Sequence, residues 1–296
     1  MCSSDLDTED LWTYQNIGEI GTKITGYPCV STFHDFKYHP KEVITGTFDD
    51  WMYEHKGAFT LTIELWDLPT ASGVKEKNEK KNFIDWFRKH PFEDDYKIVD
   101  FIDKHMPEGL VPWYEFQHPQ LGKVELGGWN RIFTWRNPPP SLLEKEIAPQ
   151  ADFAIEFISL LPRLTWHTIK VEKVGEDAYH ILTVLENKGY FPTYVCNQAK
   201  NVRTIKPVRM EIELPEGATL YENLRRQEIG HLEGRANKHS MSYLSSSPTD
   251  NRAKAQWLIK APQGGRVKIS AISQRAGMIH HEFALEEVSQ DRKSVV

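Results

Sequence analysis

Cysteine is scarce. Cys2, Cys29 and Cys196 are the three in 296 residues, far apart and odd in number, so neither a disulfide framework nor a thiolate metal cluster is indicated. The sequence also lacks any apolar run of about 18 residues, which removes a hydropathy-defined membrane span. Polar Ser3, Ser4 and Asp5 stand where a secretory signal would place its apolar stretch. Positive charge is not in excess: 36 Lys and Arg against 42 Asp and Glu leave a net charge of -6, and no electrostatic footprint for nucleic acid or an anionic membrane. Phosphate-loop, dinucleotide and serine-nucleophile motifs are absent, as are internal repeats. What remains is an ordinary globular composition, 40% apolar and 26% charged, over a length that fits two domains.

Both ends carry a coincidence. Residues 1–6 (MCSSDL) and 291–296 (DRKSVV) can each be translated from common sequencing-library adapter strands. We therefore expect both hexapeptides to be adapter-derived and the reading frame to be cut by its library insert. The compartment stays open, with a slight lean to a secreted or periplasmic home.

Hydrophobic periodicity divides the chain. Phe59-Thr60-Leu61-Thr62-Ile63-Glu64-Leu65 alternates with period two, which predicts a strand with Thr60, Thr62 and Glu64 on its polar face. Phe83, Ile84 and Phe87, then Tyr96, Ile98, Val99 and Ile102, fall at helical spacing and predict two short surface helices. Pro138, Pro139 and Pro140 halt regular structure. Ser141 with Glu144 then forms a capping box that opens a helix of about 20 residues, with an apolar stripe of Leu142, Ile147, Phe153, Ile155, Ile158 and Leu161.

Beyond Pro162 the period is two throughout. Strands are expected at 167–174, 179–186, 208–214, 255–259, 267–272 and 278–285, with a turn over 185–190 and a long polar loop over 230–250. The expected fold is thus an α/β part over residues 1–162, followed by an all-β, immunoglobulin-like sandwich over 163–290.

Chemistry concentrates in one stretch. Gly46-Thr47-Phe48-Asp49-Asp50-Trp51-Met52-Tyr53, followed by Phe59 to Asp67, resembles in letters and spacing the region around the catalytic glutamate of the zinc carboxypeptidases. The resemblance covers residues from about Tyr27 to Asp67, and the helix after Ser141 would correspond to the last helix of that family's domain. It implies the C-terminal part of a mixed sheet with helices, and a zinc-dependent metallopeptidase that removes C-terminal residues from peptide or protein substrates.

By the same resemblance Glu64 is the general base, Asp49 lines the pocket for the terminal side chain, and Tyr38, or less directly Tyr27, contacts the substrate carboxylate. The family's zinc ligands, a His-x-x-Glu pair and a third histidine, lie upstream of the catalytic strand and are expected to be missing ahead of Glu64 in this chain, so no metal ligand is assigned and zinc belongs to an intact parent. Trp66 replaces the arginine of the family's Glu-Leu-Arg-Asp run. His34, Asp35 and His39, and the pair His280-His281, lack the spacing of zinc ligands, and adjacent residues of a strand face opposite sides. Trp66, Trp113, Trp129 and Trp135 read as packing residues rather than a sugar platform.

Two functions follow from this reading. The first is a metallocarboxypeptidase present as a piece that is inactive by itself. The second is a catalytically dead relative whose sandwich recognises a polypeptide or glycan.

Overall fold

The computed structural model describes residues 6–35, 39, 41–42, 44–75, 83–222, 224–236, 249–287 and 294–295. The chain folds as two compact units, both discontinuous in sequence. One comprises residues 1–5, 18–50 and 61–155; the other comprises 6–17, 51–60 and 156–296. Helices α1 (Thr8–Thr25) and α2 (Phe48–Lys56) open the chain.

The first unit contains α3 (Leu68–Ala71), α4 (Phe83–Arg88), α5 (Phe92–His105), the antiparallel hairpin of β1 (Leu110–His118) and β2 (Gly122–Trp129), a π-helical turn at Ile132–Arg136, and most of α6 (Pro140–Ser159). Its core is Leu68, Val74, Trp86, Ile98, Ile102 and Met106. Ile98 and Ile102 sit one turn apart on α5, so both point into that cluster. Asp94 lies a turn earlier on the same face and is buried. Its carboxylate accepts the Trp86 indole N–H at 2.9 Å and Lys97 Nζ at 2.8 Å, which offsets the cost of burying it.

Both helices predicted around residues 83–102 form, the second as the longer α5. The predicted long helix also forms, starting at Pro140, a residue suited to a first helical turn. Its predicted apolar stripe is only partly covered. Phe153 is buried, whereas Ile147, Ile155, Ile158 and Leu161 are exposed.

The predicted strand over 59–65 does not form: among the described residues these positions take part in no ladder. A period-two run becomes a strand only where another strand offers its N–H and C=O groups, and none is described beside it. The described sheet of this unit is the β1–β2 hairpin, with Tyr114 opposite Leu126 and Phe116 opposite Val124.

The second unit is β-sandwich-like. Its strands are β3 (Leu164–Lys173), β4 (Ala178–Asn187), β5 (Arg209–Glu213), β6 (Thr219–Glu222), β7 (Arg226–Glu228), β8 (Arg252–Lys260), β9 (Arg266–Ser273), β10 (Gly277–Ala284) and β11 (Ser294–Val295). A short helix, α7 (Asn197–Asn201), follows β4. One antiparallel sheet runs β11-β3-β4-β8-β6 and the other β10-β9-β5-β7. All six strands predicted from alternation are found within three residues of their predicted ends; β6, β7 and β11 were not predicted. Of the predicted polar loop 230–250, residues 237–248 lie outside the described residues.

Alternate side chains meet in one core. Tyr179 lies opposite Ile259 and Ile181 opposite Trp257 in one sheet, and Met210 opposite Ala271 and Ile212 opposite Ile269 in the other. Burying a side chain of the Ile or Met class contributes roughly 1.5–3 kcal/mol, so this cluster dominates the stability of the unit.

Two early segments complete it. Tyr14 stacks edge-on against Phe59, which packs on Phe191. Buried Asp10 accepts the Tyr53 hydroxyl at 2.9 Å and the N–H groups of Asn197 and Gln198 at 2.8 and 3.1 Å, so it closes the N-terminus of α7. Gly57 has φ +58°, and a Cβ there would meet the Ala199 Cα at 2.3 Å; only glycine lets these two backbones touch.

Candidate functional site

Glu64 occupies an irregular segment, Leu61–Asp67, whose ends are tied down. Upstream, the Thr62 hydroxyl donates to both carboxylate oxygens of Asp49 at 2.8 Å each. Asp49 is in the first turn of α2, where a negative charge suits the helix dipole, and it is buried. Downstream, Trp66 Nε1 donates to the Thr134 carbonyl at 2.6 Å, and the Trp66 ring packs on the Trp86–Ile98 cluster. Asp67 then caps α3, accepting the Thr70 N–H at 3.3 Å and the Thr70 hydroxyl at 2.7 Å. The Leu65–Trp66 peptide is cis. Between these anchors the Glu64 side chain is exposed.

A carboxylate on a backbone fixed at both ends can be presented to a substrate without ordering a loop first. Thr62, two residues before Glu64, and Asp49 are thus held against each other, and Thr60 is bonded elsewhere: its N–H donates to the Tyr14 hydroxyl at 3.2 Å. Tyr38 lies outside the described residues. The Tyr27 hydroxyl donates to Glu146 Oε1 at 2.7 Å; burial first, and then that acidic neighbour, push its pKa above the ordinary tyrosine value.

Zinc finds no fit among the described residues. No group of three His, Cys, Asp or Glu there could hold a metal ion. One His-x-x-Glu spacing does stand before Glu64, His39-Pro40-Lys41-Glu42. Of its described residues, the Glu42 N–H donates to the His39 carbonyl at 2.9 Å and the Lys41 N–H to His39 Nδ1 at 3.2 Å. Asp35 accepts the Ser31 N–H at 2.9 Å, and His34 packs on Phe33. On β10 His280 is exposed while His281 is half-buried and stacks on Phe283, so the two face opposite sides as the alternation requires. Burial pushes the Cys196 thiol up to about 12, so it stays protonated at neutral pH and is no nucleophile.

Sequence reasoning placed Thr62 on the face of Glu64 but not against Asp49. It missed Thr134 and Glu146 altogether, because their contacts join positions 68 and 119 apart in the chain.

A family model described as Domain of unknown function (DUF8731) matches residues 163–284, less than half of the chain. A search of curated proteins found no match. Among solved structures the chain is similar to the GAE domain of GGA2p from Saccharomyces cerevisiae, at 10% identity over 43% of this chain and 88% of that one, with a TM-score of 0.25. It is also similar to β-glucosidase 3B from Thermotoga neapolitana in complex with α-D-glucose, at 11% identity over 45% of this chain and 17% of that one, with a TM-score of 0.21. Similarity at this level carries no functional argument. Among the described residues no helix is long and apolar enough to cross a membrane.

Proposed function

We propose that this chain carries the catalytic glutamate of a zinc-dependent metallocarboxypeptidase, and that its α-helical part corresponds to the end of that family's domain. The observation that carries the proposal is the run Gly46 to Trp51 followed, at the family's interval, by Phe59 to Asp67 with Glu64 at the general-base position. The anchored backbone on either side of Glu64 supports it, since a proton carrier must be held within hydrogen-bond reach of both water and leaving group. In this role Glu64 takes a proton from the attacking water and passes it to the departing amine nitrogen. The polarised carbonyl needs a metal, and no group of three His, Cys, Asp or Glu among the described residues could hold one. Asp49, bonded to Thr62, lines the pocket for the substrate's terminal side chain, and the substrate is a peptide or protein C-terminus.

The test is Glu64→Gln in the protein expressed from the complete reading frame. Release of C-terminal residues should fall by about 10²–10⁴-fold, the usual contribution of a general base, with bound zinc unchanged. Wild-type turnover in the Gln variant would overturn the assignment.

A further inference from the structure

Within the second unit three backbone segments meet at a cavity of about 250 Å³. Each segment brings one cation to it: Arg163 from the turn after α6, Lys188 from the turn after β4, and Arg235 from the stretch beyond Leu232. Among the described residues no carboxylate lines it. Lys188 Nζ is 3.9 Å from Glu186 Oε2, while Glu186 Oε1 is engaged by Arg252 at 2.8 Å. Among the described residues the lining is therefore basic, and one of its three basic side chains, Lys188, faces a carboxylate.

The three segments are fixed by hydrogen bonds rather than left to solvent. Asn187, 2% exposed, accepts the N–H groups of Arg163 and Gly189 through Oδ1 at 2.9 and 3.0 Å. The Lys188 N–H donates to the Arg163 carbonyl at 2.9 Å, and the Ala236 N–H to the Tyr190 carbonyl at 2.9 Å. Arg235 Nη2 donates to the Lys188 carbonyl at 3.0 Å, which holds its guanidinium at the rim. A Cβ at Gly189 would lie 2.4 Å from the Leu161 carbonyl oxygen, so the absence of a side chain is what lets the two turns close on each other.

We propose that this cavity is a binding site for a small phosphate-bearing anion, held by Arg163, Lys188 and Arg235. Two guanidinium forks and an ammonium together match a tetrahedral dianion with several acceptor oxygens, whereas a single carboxylate would leave a cation unanswered. At roughly 30 Å³ per water the cavity holds about eight waters, space for a phosphate with a small organic group attached. Because the whole chain is acidic, the attraction is local and screened by salt.

The experiment titrates the purified chain with inorganic phosphate at constant ionic strength, following heat and the amide resonances of Lys188 and Gly189. Saturable binding is expected, weakened about tenfold or more in the Arg163→Ala/Lys188→Ala double variant and in Arg235→Ala, with folding of each checked by circular dichroism. Equal affinity for acetate would overturn the dianion assignment. Absence of saturation, or unchanged binding in both variants, would overturn the site.

Discussion

The Thr62 hydroxyl donates to both oxygens of the Asp49 carboxylate at 2.8 Å, two residues before Glu64. This bond ties the segment that carries Glu64 to the first turn of α2, and it satisfies a carboxylate that is otherwise shut from water. Thr62→Val removes the donor while keeping the shape. We expect a loss of about 1.5–3 kcal/mol, the range for hydrogen bonds to a charged group, and near-complete recovery in Thr62→Ser. Urea denaturation measures both; a neutral Thr62→Val would show that the bond does not hold the segment.

Asp94 gives the first unit an acid-sensitive element. Hydrogen bonds from Lys97 and then from Trp86 hold its pKa below the ordinary value of 3.8. A folded pKa below the unfolded one means that the stabilisation is present above pH 3.8 and is lost as pH falls through the folded value. Asp94→Asn should flatten that part of the stability profile and cost about 1–3 kcal/mol at pH 7. Chemical denaturation from pH 2 to 7, an interval chosen to bracket carboxylate titration, reads both effects.

In the sandwich-like unit, Asn187 uses both ends of its amide: besides the two N–H groups it accepts, Nδ2 donates to the Phe191 and Glu233 carbonyls at 2.8 and 3.1 Å. Asn187→Ala leaves these groups unpaired, and a destabilisation of about 2–4 kcal/mol is expected from several lost buried bonds. Asn187→Asp should fare little better, since it sets an acceptor against two carbonyls. Thermal melting distinguishes this from a solvent-exposed turn, for which both changes would be within about 0.5 kcal/mol.

Gly57→Ala should destabilise the same unit by more than about 1 kcal/mol, through the positive φ and the collision with Ala199. Pairing it with Ala199→Gly relieves only part of the loss, because the Ala199 Cα and N remain in the way. Full rescue by the pair would contradict the close backbone approach.

Period-two alternation made the six longer strands of the sandwich legible, because each buries one face: Ile169 and Val171 on β3, and Ile181 and Leu185 on β4, all point into one core. β6 and β7 escaped notice because they are short and mostly exposed, with no apolar face to mark them. The β1–β2 hairpin was hidden for the opposite reason. Its apolar residues, Val111, Trp113, Tyr114 and Phe116, occur on both faces and are exposed, so no alternation appears. The run Phe59–Leu65 had the alternation but has no partner strand among the described residues. At the candidate site, Glu64 and Asp49 are singled out by motif spacing alone. The bonds from Thr62 to Asp49 and from Trp66 to the Thr134 carbonyl depend on how the chain turns back, which local pattern does not encode.

The assignment of Glu64 also predicts what this chain cannot do unaided. Purified and supplied with zinc, it should bind no stoichiometric metal and release no C-terminal residue from a test peptide, since the described residues assemble no metal-holding group. Zinc-dependent turnover by this chain alone would require ligands that the account does not contain.

The most direct test of the central claim is to read the source DNA upstream of Thr8 with longer reads and translate it in frame. The expected result is a His-x-x-Glu pair and a later histidine ahead of Glu64, in addition to the spacing at His39 and Glu42. An in-frame upstream sequence in which those ligands are replaced would contradict a catalytic role for Glu64 and leave a carboxypeptidase-like binding protein in its place.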